Sequence, residues 1–167
     1  MPWTDADLAE YDPPEWITRL PTWLTGQLAA TATGLVAEAL ATDGLRRPHF
    51  LVLTALAERG AASQAALGRR LLIDRSEMHA LLSELEQRGH VARVRDQHDR
   101  RRILVELTPA GARALNRLDK QIRAAQDALL APLSVTDRRE LERLMARLVE
   151  HHAHRRAKAG LRVAASR

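Results

Sequence analysis

The sequence predicts a mostly α-helical fold carrying one small β-hairpin, on three observations. The 167 residues are rich in Ala, Leu and Arg and poor in Gly, a composition that favours helix. Apolar residues recur at three- and four-residue spacing over most of the chain, the period of helices with one buried face. Near the middle the period shortens to two: Ile103, Val105 and Leu107 alternate with Leu104 and Glu106, as in a half-exposed strand. From Asp74 to Gly111 the order is a capped helix, two β-like segments joined by an arginine-rich tip, and a new helix opened by Thr108-Pro109. Helix, basic hairpin, helix is the order of a winged helix-turn-helix, here with long helices at both ends of the chain.

Each element has a local reason. Pro13-Pro14 breaks any earlier helix, and Glu15-Trp16 starts a short turn before Pro21. Thr22 to about Thr42 is a helix with Leu24, Leu28, Leu35 and Ala39 near helical spacing, ended by Asp43-Gly44. Pro48 suits the first turn of the next helix, which carries Phe50, Leu53 and Leu56 and stops at Gly60. Ser63 caps a short helix over SQAALGRRL. Asp74 caps the following one, with Glu77 three residues on in a variant capping box. Met78, Leu81, Leu82 and Leu85 form its apolar face, and Gly89 ends it. After Thr108-Pro109 the stripe Leu115, Leu118, Ile122, Ala125, Leu129 runs to Pro132. Ser134 and Asp137 then open a last helix striped by Leu141, Leu144, Met145, Leu148 and Val149. The expected organisation is an N-terminal arm over 1–21, a dimerisation helix over 22–45 and a winged helix-turn-helix over 46–112. C-terminal dimerisation helices over 113–157 and a tail over 158–167 complete it.

Charge narrows the function. The net charge is +5, yet residues 1–18 hold five acids and no Lys or Arg, so the remainder carries 26 basic against 16 acidic residues. That balance favours a polyanion as partner. The absence of cysteine excludes disulfides, thiolate metal sites and a cysteine redox sensor. The N-terminus has neither the basic nor the apolar region of a secretory signal, and no apolar run approaches the roughly 20 residues of a membrane span. A cytoplasmic protein without membrane contact is expected. No GxSxG, HExxH, P-loop or GxGxxG motif is present. His151 and His154 share a helix face, but a solvated, dipole-favoured helix end explains them, so neither metal nor cofactor is expected.

Residues 47–112 resemble the MarR family of winged-helix regulators. PHFLVLTALAERG, SQAALGRRL and DRSEMHALLSELEQRGHV correspond to its second, third and recognition helices, and the wing DQHDRRR and exit LTPAGARAL complete the run. Asp99-Arg100-Arg101 followed by Leu107-Thr108-Pro109-x-Gly111 is the most specific part. The resemblance implies a helical homodimer that binds double-stranded DNA at an inverted-repeat operator and acts as a repressor. Where the family often has a basic residue in mid recognition helix, this chain has Ala80 and Glu84.

The residues suggest how DNA would be held. The segment 93–102 has five arginines, and flat, permanently charged guanidinium groups suit phosphates and the narrow minor groove. Asp99 is expected to pair with Arg101 and stiffen the tip. Arg101 is the candidate for the minor groove, with Arg100 and Arg102 nearer the backbone; Arg95 and Asp99 are also counted among the DNA-binding residues. Arg75, Ser76, His79 and Ser83 lie at the exposed start of the recognition helix, the part that enters the major groove. Ser63 and Gln64 suit a phosphate at the preceding helix start. Four of the five aromatic residues lie within residues 1–23. The family resemblance implies a small aromatic or lipophilic effector, for which Trp16, Trp23 and Phe50 would cover a ring and Arg19 and His49 meet a carboxylate. Two other readings remain open here: a non-specific architectural DNA-binding protein, and a helical dimer acting as an adaptor or small-molecule binder without DNA.

Overall fold

The computed structural model describes residues 10–97 and 99–159, with side chains through residue 153. Residues 1–9 of the expected arm, residues 160–167 of the expected tail, His98 and the side chain of His154 lie outside the described residues. The elements in chain order are α1 (Glu15–Thr18), α2 (Pro21–Ala41), α3 (Arg47–Arg59), α4 (Gln64–Leu71), α5 (Arg75–Gln87), β1 (Val91–Arg95), β2 (Ile103–Leu107), α6 (Pro109–Leu129) and α7 (Val135–Ala159). The fold is thus mostly helical with one two-stranded antiparallel sheet. The chain divides into two compact units, residues 1–126 and 127–167.

The first unit has a single apolar core. Leu40 from α2, Val52, Leu53 and Leu56 from α3, Leu67 from α4, Met78, Leu82 and Leu85 from α5, Val91 and Val105 from the strands and Leu118 from α6 meet in it. Met78, Leu81, Leu82 and Leu85 are all buried, as their spacing predicts for one helix face. Burying a side chain of this size stabilises the fold by roughly 1.5–3 kcal/mol, so this stripe anchors α5. Its opposite face is left for solvent or a partner.

The helix starts follow the local chemistry. Ser63 Oγ accepts the Ala66 N–H at 3.3 Å. Asp74 Oδ1 accepts the N–H groups of Ser76 and Glu77, both at 2.9 Å, so the bonds run from the Glu77 backbone rather than from its side chain. Thr108 Oγ1 accepts the Gly111 N–H at 3.0 Å and donates to the Gly89 carbonyl at 2.6 Å, stitching the start of α6 to the end of α5. At α3 no small polar residue stands before the helix. His49 does that work instead, its Nδ1 accepting the Arg46 N–H at 3.1 Å.

β1 pairs with β2 in a register from Val91↔Leu107 to Arg95↔Ile103. Ala62 joins as a third short rung: its N–H donates to the Val105 carbonyl at 3.0 Å, and the Val105 N–H donates back at 2.8 Å. The expected alternation in β2 holds only in part. Val105 is buried and Leu107 half-buried, but Ile103 is 56% exposed. Ile103 pairs with Arg95 at the open end of a two-stranded ribbon, beyond the reach of the core.

α2 buries only Leu40, near its C-terminal end, and Leu24 is exposed. In the second unit, Ser134 Oγ accepts the Asp137 N–H at 3.2 Å to open α7, and Arg138 meets Asp127 at 3.2 Å. Leu144, Met145, Leu148 and Val149 stand exposed along α7. Among the described residues no helix is long and apolar enough to cross a membrane.

Candidate nucleic-acid interface

α4, a short turn and α5 form the helix-turn-helix. The turn rests on Leu72, the one non-glycine residue with positive φ among the described residues, at 56°. Its side chain is 86% exposed. Gln64 Nε2 donates to the Arg75 carbonyl at 3.3 Å, tying the start of α4 to the start of α5. Gln64, expected to meet a phosphate, therefore has an internal role as well. Ser63 accepts its own helix's N–H, which leaves its hydroxyl proton for an outside acceptor.

The start of α5 is strongly polar. Asp74 collects the Ser76 hydroxyl at 2.6 Å besides the two backbone N–H groups. The Ser76 hydroxyl and the Glu77 N–H hold the Asp74 carboxyl below its ordinary value. Ser76 is thus oriented by its cap. Arg75, Ser76, His79 and Ala80 are exposed beside it, whereas Ser83 is half-buried. An open groove of about 1000 Å³ runs between α4 and α5, with Gln64, Arg69, Arg75, Ser76 and His79 on its walls.

The tip of the hairpin is closed by backbone bonds. The Asp96 N–H donates to the Arg102 carbonyl at 3.0 Å, and the Arg102 N–H to the Asp99 carbonyl at 2.8 Å. Asp99 Oδ1 accepts the Arg101 N–H at 3.0 Å. The expectation that Asp99 pairs with the Arg101 guanidinium is corrected here: the carboxylate stiffens the turn through the backbone, two residues on, and leaves the guanidinium out of the pair. Arg93 is held by Glu86 of α5 in an ion pair, and Arg102 lies 3.8 Å from Asp96. Among the described residues the side chains of Arg95, Arg100 and Arg101 have no partner, and all three are exposed. Among the described residues Arg93 is thus tied to α5, Arg102 is loosely paired, and Arg95, Arg100 and Arg101 make no ion pair.

The residues expected around an effector are placed differently from one another. Trp16 is 67% exposed on α1, Trp23 is half-buried on α2, and Phe50 packs against the core. Arg19 pairs with Glu15. His49 is 1% exposed, and its Nε2 lies 3.0 Å from Glu84 Oε2 in a close but bent contact. Each basic group expected to meet a ligand carboxylate already meets one of the chain's own. Burial pushes the His49 pKa below its ordinary value; Glu84 opposes this, and Arg46 and Arg88 add to it. The imidazole is therefore neutral at pH 7, with its proton on Nε2 facing Glu84 and its Nδ1 free to cap α3.

Sequence reasoning missed a second set of contacts. Arg46 reaches Glu84 at 3.3 Å, Arg88 donates to the Asp43 carbonyl at 3.2 Å, and Arg117 of α6 meets the Asp43 carboxylate at 2.8 Å. These join the corner between α2 and α3 to α5 and α6. The sequence signal was the unexplained acid at position 84.

Comparison with known proteins places this geometry. The sequence model of the MarR family matches residues 43–102. The HTH-type transcriptional repressor Rv2887 of Mycobacterium tuberculosis is 30% identical over 126 residues, which cover 75% of this chain and 91% of that protein. The crystal structure of a probable transcriptional regulator from Pseudomonas aeruginosa is 32% identical, with a TM-score of 0.66 over 78% of this chain and 97% of that one. The PcaV transcriptional regulator of Streptomyces coelicolor, solved in complex with its natural ligand, is 28% identical, with a TM-score of 0.64 over 84% and 98%.

Proposed function

The chain belongs to the MarR family of transcriptional regulators, and on that premise we propose that it is a homodimeric, cytoplasmic repressor rather than an enzyme. It is a DNA-binding regulator, and its operator is an inverted repeat. The observation that carries the reading is the pairing of two exposed surfaces on one core. The start of α5 presents Arg75, Ser76 and His79, and the hairpin tip presents Arg95, Arg100 and Arg101. The first suits the edges of base pairs in a major groove, and the second suits phosphates and the adjacent minor groove. Ser63, Gln64, Asp99 and Arg102 also orient or close these surfaces while contacting DNA, and the half-buried Ser83 is a further contact from α5.

A second copy of the chain is the natural cover for the exposed apolar residues of α7, since four large side chains at helical spacing are seldom left in water. Two-fold symmetry then sets two α5 helices in successive major grooves, about 10 base pairs apart. The effector is a small aromatic or lipophilic acid that releases DNA. Trp16, Trp23 and Phe50 supply its apolar contacts, and Arg19 and His49 exchange an internal carboxylate for that of the ligand. The likeness to PcaV, a regulator with a natural ligand, supports this part.

Selection of bound sequences from a random duplex library tests the reading. Enrichment of an inverted repeat is expected, with binding that falls steeply as salt rises. Equal affinity for random DNA would make the protein architectural, and binding indifferent to salt would make it an adaptor.

A further inference from the structure

Glu84 is an acid on the helix that faces DNA, and both of its partners come from the start of α3. Arg46 Nη2 lies 3.3 and 3.4 Å from its two oxygens, and His49 Nε2 lies 3.0 Å from Oε2. One turn further on, Arg88 grips the Asp43 carbonyl, and the Asp43 side chain is in turn held by Arg117. The C-terminal half of α5 is thus fastened at two points to the corner between α2 and α3. Its N-terminal half carries the exposed Arg75, Ser76 and His79. The Arg46 contact is exposed and screened by solvent, so alone it contributes little. His49 is 1% exposed and bonded to the Arg46 backbone, so its Nε2 is held 3.0 Å from the carboxylate, a close approach outside hydrogen-bond geometry that limits where Glu84 can sit.

We propose that Glu84 is a positioning residue for DNA reading: held by Arg46 and His49, it fixes the angle at which α5 offers Arg75, Ser76 and His79 to the major groove. The inference rests on the reading of α5 as the recognition helix. Leverage is what makes it matter. A helix of this length measures about 20 Å, so a tilt of about 5° at the base moves the tip by about 2 Å, enough to break a base-edge hydrogen bond.

A carboxylate that merely sits near DNA makes the opposite prediction. Removing it lessens repulsion and strengthens binding to every duplex alike. Removing a positioning carboxylate strengthens binding to random DNA but weakens binding to the operator.

The test uses the full chain and its Glu84→Gln, Arg46→Gln and doubly substituted variants. Their affinities are measured for the selected operator and for a random duplex of equal length. Glu84→Gln is expected to lower the operator-to-random ratio by about fivefold, Arg46→Gln to lower it less because His49 still stands against the carboxylate, and the pair to lower it no further than Glu84→Gln alone. Amide hydrogen exchange without DNA is expected to quicken in the last two turns of α5 in all three variants. A ratio unchanged by Glu84→Gln, ratios that multiply in the double variant, or unaltered exchange would overturn the proposal. If the parent chain enriches no sequence, the reading of α5 fails by itself. The exchange measurement then decides the clamp alone: quickened exchange keeps Glu84 as an anchor of α5, and unaltered exchange removes it.

Discussion

Gly111 and the backbone of His90 are packed so closely that a Cβ on the glycine would lie 2.0 Å from the His90 carbonyl oxygen. That carbonyl also accepts the Thr108 N–H at 3.1 Å, so it is held from the side of α6 as well. The closest contact is to backbone, so no side chain can swing aside to relieve it. Gly111→Ala must push the start of α6 away from the base of the hairpin. A loss of roughly 1–3 kcal/mol is expected, from the scale of overpacking in a tight site. It would appear as a fall of several degrees in melting temperature, and an unchanged melt would contradict the close approach.

Leu72 predicts a change in the other direction. A left-handed backbone at a non-glycine residue costs about 1–2 kcal/mol, and an 86% exposed side chain offers little packing in return. Leu72→Asn should therefore raise stability by about 1 kcal/mol, because Asn tolerates this conformation. Chemical denaturation measures it, and a lower midpoint would mean that the leucine has contacts worth more than the strain.

The stability of the fold should fall in mild acid. Burial lowers the pKa of His49 and of His90; Arg46 and Arg88 add to this at His49, and Arg88 and Arg117 at His90, against Glu84 and Asp43 respectively. Both folded values lie below the ordinary 6.5 of the unfolded chain. Between the two values the unfolded state binds more protons, so stability rises with pH there. The contribution is complete above pH 6.5 and is lost as pH falls below it towards the folded values. Melting temperatures measured from pH 8 to pH 5 should drop over the acid half of that range. His49→Asn, which keeps an acceptor for the Arg46 N–H, should make the drop shallower. Parallel curves for the two proteins would exclude His49 as a cause.

The hairpin arginines should separate by their partners. Arg101→Ala is expected to weaken binding to operator and random DNA alike and to reduce the slope of log affinity against log salt by about 1. Arg93→Ala should reduce it less, because Glu86 already engages that guanidinium. Salt titrations of the two variants read this directly, and equal slopes would count against the division of labour.

His79 should affect preference rather than overall grip. It is exposed one turn into α5 beside Ser76. His79→Ala is expected to relax discrimination at one base pair of each half-site by about 1 kcal/mol or more, within the usual cost of a mismatch. Repeating the library selection with the variant would reveal it. An unchanged consensus would assign His79 to the phosphate backbone.

What the sequence makes legible is what short range decides. Ser63, Asp74 and Thr108 cap their helices through bonds spanning two or three residues, and the stripe from Met78 to Leu85 follows helical spacing. The order of helix, hairpin and helix needs nothing more. The contacts of Glu84 with Arg46, across 38 residues, and of Arg117 with Asp43, across 74, depend on how helices cross, which no local pattern encodes. The engagement of Arg93 is hidden for the same reason: the Glu86 that holds it sits on a different element. Leu72 was invisible because Leu-Leu-Ile carries no turn signal of the kind that glycine or asparagine supplies.

Two hydrogen bonds between Ala62 and Val105 join the hairpin to the helix-turn-helix. Ala62 directly precedes the Ser63 that caps α4, and Val105 is the middle of the strand that returns from the hairpin tip. The hairpin and the helix-turn-helix therefore share one hydrogen-bonded root. A displacement at either surface is expected to be felt at the other through this shared root.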